Sequence, residues 1–207
     1  MKFLFGCVLL FGVLSCNEHK TQPPPRPALV LKDSTVVKND TANPYAPLDV
    51  SPMDMSYFPV DYPIEKMSGK ARKLPIARVI YSRPHRQGRR IFGALLKYGE
   101  PWRLGANEAT EIEFFQPVTI QNKKVPKGKY VMYCIPQQDN WQIIFNSNLN
   151  TWGLKPEPKD DVFKFNIPIQ ITNQPIEYFS MVFQKAGKGA DLVMAWDSVL
   201  ARLPIQY

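Results

Sequence analysis

The chain has 207 residues, 44% of them hydrophobic and 12% aromatic, which is apolar material enough for one packed domain. Three cysteines and two histidines are too few for a thiolate-rich or histidine-based metal centre, so neither a metal nor a cofactor is expected. The net charge of +8 would suit nucleic acid, anionic lipid or an anionic small molecule, but the interleaved basic and aromatic pattern of an RNA-binding sheet is missing.

Lys2 precedes an apolar run from Phe3 to Leu14. The run is too short to span a bilayer as a mature helix and has the form of a secretory h-region. It ends in Val13-Leu14-Ser15-Cys16, which resembles the lipobox of bacterial lipoproteins. The resemblance implies removal of residues 1–15 and acylation of Cys16, with two or three acyl chains holding the protein to a membrane. Asn17 stands where an Asp would favour retention in the inner membrane, so the same resemblance implies an outer-membrane, cell-envelope location. An ordinary cleaved signal with an incidental cysteine fits less well, because such sites favour an Ala-x-Ala-like pattern. Export argues against a nucleic-acid partner. It also leaves Cys134 as the one cysteine of the folded part, so no intramolecular disulfide is expected.

Residues 16–50 read as a lipid-anchored disordered linker: Pro23, Pro24, Pro25 and Pro27 favour polyproline II, and the rest is polar without sustained period. Ser51 to Lys73 mixes Met53, Met55, Tyr57, Phe58 and Tyr62 with Pro52, Pro59 and Pro63. The prolines oppose regular structure while the aromatics favour burial, so an irregular arm packed along the domain is expected. Ile76 to Arg83 is a strand ended by Pro84. In 89–98, Ile91, Leu95 and Leu96 have helical spacing, and a short helical segment closed by Gly99 is expected.

From Ala109 the period is two. Ile112 and Phe114 oppose Glu111 and Glu113, and Val118 to Ile120, Tyr130 to Ile135 and Asn140 to Asn146 follow as strands. Gln121 to Lys124 reads as a polar connection. Phe163, Phe165, Ile167, Ile169 and Ile171 alternate on one face, and Pro168 on the other points to an edge or a bulge. Ile176 to Phe183, Leu192 to Trp196 and Leu200 to Ile205 read as further separate strands. The fold class is therefore all-β, an antiparallel, jelly-roll-like β-sandwich over residues 51–207, with a closed barrel as the alternative.

Tyr81-Ser82-Arg83-Pro84, Gly88-Arg89, Ile91-Phe92-Gly93, Tyr98-Gly99 and the run Trp102 to Thr110, WRLGANEAT, carry a further resemblance. Pro126-x-Gly128-x-Tyr130, Ile135-Pro136, Trp141, Trp152-Gly153, Asp161-Val162 and Trp196 belong to the same pattern. Together they resemble a bacterial envelope family catalogued as a domain of unknown function, number twenty-nine-eleven, over roughly Ser51 to Tyr207. Gln142 stands where Thr is common in that pattern. The resemblance implies a domain boundary and no activity.

Site residues must come from chemistry. Arg83, Arg86, Arg89, Arg90 and Arg103 offer guanidinium forks that suit carboxylate, phosphate or sulfate. Trp102 supplies a flat face, Asn107 a donor and an acceptor, and Glu108 a carboxylate. Arg83, Arg89, Trp102, Arg103, Asn107 and Glu108 are thus the candidate ligand-binding residues, for an anionic or sugar-like small ligand. The competing reading is a structural pin, with Arg89 and Arg103 paired to Glu108, Glu111 or a carbonyl and holding the loop.

No catalytic residue is assigned. Glu111 and Glu113 lie about 7 Å apart on one strand face, within a glycosidase range, but alternating glutamates are far more often a solvated face. His85 has no Ser or Cys partner. A binding or accessory domain is preferred to an enzyme. A carbohydrate-active hydrolase is one alternative, and a structural envelope protein docking on a protein partner through the aromatic arm is another.

Overall fold

Alternation of apolar and polar residues is cleanest in the C-terminal third, and the two longest strands lie there. The computed structural model describes residues 49–207; the expected signal segment, Cys16 and the linker as far as residue 48 lie outside them. In chain order the elements are β1 (Met53–Phe58), α1 (Tyr62–Met67), β2 (Ala77–Ser82), β3 (Thr110–Phe114), β4 (Val118–Ile120), β5 (Lys123–Val125), β6 (Gly128–Pro136), β7 (Asn140–Asn146), β8 (Asp161–Ala186) and β9 (Gly189–Gln206). All pairings are antiparallel, in the order β1-β2-β3-β6-β7-β8-β9-β4-β5. The all-β antiparallel expectation is met. The strands form one sheet of nine, and the pairing shows no separate second sheet of a jelly-roll sandwich.

β8 makes this possible by changing partner along its length. Asn140 of β7 pairs with Pro168, and the next residue, Ile169, pairs with Ala201 of β9. Pro168 has no N–H to give and sits where one ladder stops and the other starts. Two register shifts against β9, between Ile171 and Ile176 and between Ile176 and Ser180, bend the strand. The stretches expected as separate strands are therefore one continuous β8 and one continuous β9. The alternation also drifts at the first shift, where Ile171 turns outward and is 70% exposed.

The curl of the sheet brings β8 back onto β1 and β2. Phe183 lies 6.2 Å from Phe58, and Phe179 meets Tyr81 edge-on at 5.7 Å. The seam is held by scattered bonds: Phe179 N to Pro84 O at 3.0 Å, Arg86 N to Glu177 O at 2.7 Å, and Phe183 N to Ser56 Oγ at 3.4 Å. Ile112 and Phe114 point into this core and Glu111 and Glu113 away from it, as their alternation requires.

Three local expectations are corrected. The segment 89–98 is a set of turns, with Leu96 N bonded to Ile91 O at 2.9 Å and Gly93 N to Leu96 O at 2.8 Å. Gly93 has φ 79°, which an α-helix cannot contain, and a Cβ there would meet the Tyr98 ring at 2.9 Å. The arm at 51–73 contains two regular elements, β1 and α1, instead. β1 fits between Pro52 and Pro59, and Pro63 stands in the first turn of α1, where no N–H is needed. Finally, Gln121 and Asn122, at φ 47° and 63°, make a two-residue hairpin turn that pairs Lys123–Val125 with β4.

One buried polar cluster ties β6, β7 and β8 together. Asp161 accepts bonds from Tyr133 Oη at 2.9 and 3.0 Å and from Asn146 Nδ2 at 2.9 Å, and pairs with Lys164 at 2.9 Å. Burial pushes the Asp161 pKa up, but the bonds from Asn146, Lys164 and Tyr133 and the Lys164 charge outweigh it, so the net shift is downward. On acidification the unfolded chain therefore takes up this proton first. The cluster's contribution is full above the ordinary carboxylate pKa and is lost as pH falls through the folded value. Tyr133→Phe should cost about 1.5–3 kcal/mol near pH 7, the range for a bond to a charged group. The cost should shrink at pH values below the folded pKa. Urea unfolding across a pH series checks this, and a pH-independent cost would refute the charge-linked role.

Candidate functional site

Beyond Met132, the last residue of β6 that pairs with β3, Trp102 takes the place of β3. Its N–H reaches Cys134 O at 2.7 Å, and Cys134 N–H returns to Trp102 O at 2.8 Å. This short ladder fixes the loop that carries the arginine and tryptophan residues. The indole donates from Nε1 to Gly105 O at 3.2 Å. It packs among Phe92, Trp141, Phe179 and Trp196 at centroid distances of 5.0–6.0 Å, stacked on Trp196. Gly105 lies against β2, where a Cβ would stand 3.0 Å from Ser82 O. Thr110 Oγ1 donates to Leu104 O at 2.8 Å and closes the loop onto β3.

Two of the arginines are spent on the fold. Arg83 pairs with Asp54 at 3.2 Å, donates to Ser180 Oγ at 3.3 Å and lies over the Tyr178 ring at 5.7 Å. Arg86 Nε pairs at 2.8 Å with Asp197, a buried residue of β9 whose other oxygen accepts Ile91 N–H at 3.0 Å. Asp197 has φ 50°, a conformation that Asp tolerates better than most residues. Together the Asp197 contacts hold the 86–91 loop against the middle of β9.

Arg89 and Arg103 differ. Neither has an ion-pair partner among the described residues. Arg89 donates from Nε to Arg86 O at 2.9 Å and from Nη2 to His85 O, which uses only part of its fork. Arg103 makes one long bond, Nη1 to Trp152 O at 3.4 Å, and burial lowers its pKa from the ordinary value. Gly153 allows close packing here, since a Cβ would come within 3.1 Å of Arg103 Cβ and Ala109.

Both arginines line a cleft of about 440 Å³, together with His85, Trp102, Trp196 and Leu154. Among the described residues its lining includes no Asp or Glu, so its charged side chains, Arg89 and Arg103, are both cationic. Trp102 contributes an edge to the floor and is otherwise core, at 6% exposure.

Of the six expected ligand residues, the structure gathers Arg89, Trp102 and Arg103 in this cleft. Arg83 is committed to Asp54 outside it. Asn107, at φ 55°, donates to Asp49 and to Ser51 O at 3.0 Å and ties down the chain before β1. Glu108 is exposed and makes no bond to Arg89 or Arg103, so of the expected pin only the carbonyl contacts of these two arginines are present. Glu113 pairs with Arg78 on β2, and neither it nor Glu111 lines the cleft. His85, set aside in the sequence for want of a nucleophile, is a cleft residue. Trp196, present in the family pattern, and Leu154 gave no sign of belonging to the cleft, because each lies more than forty residues along the chain from Arg103.

Among the described residues no group of three His, Cys, Asp or Glu is placed to hold a metal ion. Cys134 is fully buried and its thiol pKa is pushed well up by desolvation, the opposite of an activated nucleophile.

No curated protein and no solved structure matches the chain. The family model described as Protein of unknown function (DUF2911) matches residues 63–205, nearly the whole strand-forming region. The chain belongs to that family, the one its sequence resembles.

Proposed function

We propose that this protein is a lipid-anchored envelope protein whose cleft binds a small anionic ligand bearing a carboxylate, phosphate or sulfate. The observation that carries the binding reading is that Arg89 and Arg103 line one cleft with no acidic side chain in its lining among the described residues. Guanidinium groups suit oxyanions bidentately, and His85 adds a nitrogen that can donate. Leu95 and Leu154 offer an apolar wall, which favours a ligand with a hydrophobic portion beside its charge. Anchoring rests on the lipobox-like residues before Cys16.

A thermal-shift panel of phosphates, sulfated and uronic sugars and carboxylic acids tests the reading, with Arg103→Ala beside the parent. The parent should gain melting temperature with at least one panel member, by linkage. Arg103→Ala should keep its intrinsic stability within about 1 kcal/mol, because its one side-chain bond is long. Its affinity should fall about 10–100-fold, the equivalent of a lost charged hydrogen bond. A panel without effect on the parent would sink the proposal. So would a variant that still responds fully, or one that loses several kcal/mol of stability without ligand.

A further inference from the structure

The helix α1 turns its apolar side outward. Ile64 and Met67, spaced i, i+3, share one face of α1, and Val60 precedes the helix in a turn. Val60, Ile64 and Met67 are 61%, 68% and 85% exposed. The half-buried side carries Tyr62, whose ring sits 5.5 Å from Tyr57 of β1, and Glu65. No residue of α1 is buried. Leu74, just beyond, is 68% exposed. Lys66, Lys70, Arg72 and Lys73 are exposed in the same stretch, and none forms an ion pair among the described residues.

We propose that residues 60–74 are a docking surface for an anionic lipid bilayer. Apolar side chains of this kind settle at the boundary between headgroups and acyl chains, and adjacent cations meet lipid phosphates. Charge complementarity selects that occupant: residues 60–74 carry four exposed cations without an ion pair among the described residues, against Asp61 and Glu65. The exposed side also lacks the Trp and Tyr anchors that carry most protein–protein interfaces. Met, Ile and Lys side chains fit a fluid surface, which demands no fixed shape.

The cleft lies towards the Met53 end of β1, where Val50 and Ser51 join its lining, and the docking segment leaves the Phe58 end. Six strand residues separate them by about 17 Å, so docking need not cover the cleft. The proposal depends neither on the cleft's ligand nor on Cys16. If Cys16 is acylated, this surface supplies a second attachment.

The test is hydrogen–deuterium exchange on the full chain, read peptide by peptide, so that binding by residues 1–16 does not obscure the result. The chain is mixed with vesicles of phosphatidylglycerol and phosphatidylcholine, or of phosphatidylcholine alone. Exchange across 60–74 should slow at least about fivefold on the anionic vesicles and stay at its solution rate on the neutral ones. The double variant Ile64→Glu, Met67→Glu should lose the slowing, while β3, β6 and β7 keep their protection as a check on folding. Unchanged exchange on anionic vesicles overturns the proposal. Equal slowing on phosphatidylcholine, or slowing that survives in the double variant, does so too. Protection that appears only when another envelope protein is added assigns the surface to a protein partner instead.

Discussion

Replacing Asp197 by Ala should cost about 3–5 kcal/mol of unfolding free energy, the range for removing one partner of a buried ion pair. Two groups lose their acceptor at once: Arg86 Nε at 2.8 Å and the buried Ile91 N–H at 3.0 Å. A third cost comes from the backbone, because Ala tolerates φ 50° less well than Asp. The Asp197 side chain is 10% exposed and that of Arg86 25%, so solvent screens part of the charge cost, and the lower half of the range is expected. Asp197→Asn separates the contributions. It keeps an oxygen for Ile91 and the tolerance of positive φ, and it should cost about half as much. Urea unfolding followed by tryptophan fluorescence measures both. A loss below about 1 kcal/mol for Asp197→Ala would mean that the pair behaves as an exposed one. It would also mean that the 86–91 loop is held by other contacts.

The second large effect is expected at Trp102. Trp102→Ala should cost about 3–5 kcal/mol, as truncation of a buried aromatic does. The indole touches four aromatic rings and satisfies its own N–H on Gly105. One edge faces the cleft, so water can enter part of the space left behind, which again favours the lower half of the range. Trp102→Phe should retain about half of the loss, because it keeps a ring but not the full indole volume. The same series bears on function. If Trp102 serves mainly as floor and core, Trp102→Phe should still respond to any ligand that Arg103→Ala abolishes. Loss of ligand response with unchanged stability would instead give the indole a direct contact with ligand.

The arginine residues of the 83–103 region divide by what stands opposite them. Arg83 and Arg86 meet Asp54 and Asp197, and Arg89 and Arg103 meet no acid among the described residues. Sequence reasoning could name the set but could not divide it. The partners come from β1 and from β9, at opposite ends of the domain's sequence, and only the curl of the sheet brings them together. Glu108 shows the same limit from the other side. It is near Arg103 in sequence and exposed in space, because the loop turns at Asn107 towards Asp49 and Ser51.

By itself the sequence determined the all-β class, the family, and most strand positions, because a two-residue period writes the buried face directly into the order of residues. Ile112 and Phe114 inside with Glu111 and Glu113 outside is that rule at work. Strand continuity and sheet order were not written there. A bulge or a change of partner, as at Pro168 and Ile176, depends on which neighbour lies alongside. The 89–98 segment was misread because apolar spacing is degenerate between a helix and a run of turns, and Gly93 decided it through backbone conformation. The cleft was decided by tertiary structure alone. Its walls come from Val50 and Ser51, the 84–106 loops, Gly153 and Leu154, and Trp196. Its charge depends on which arginines the folded sheet leaves without a carboxylate.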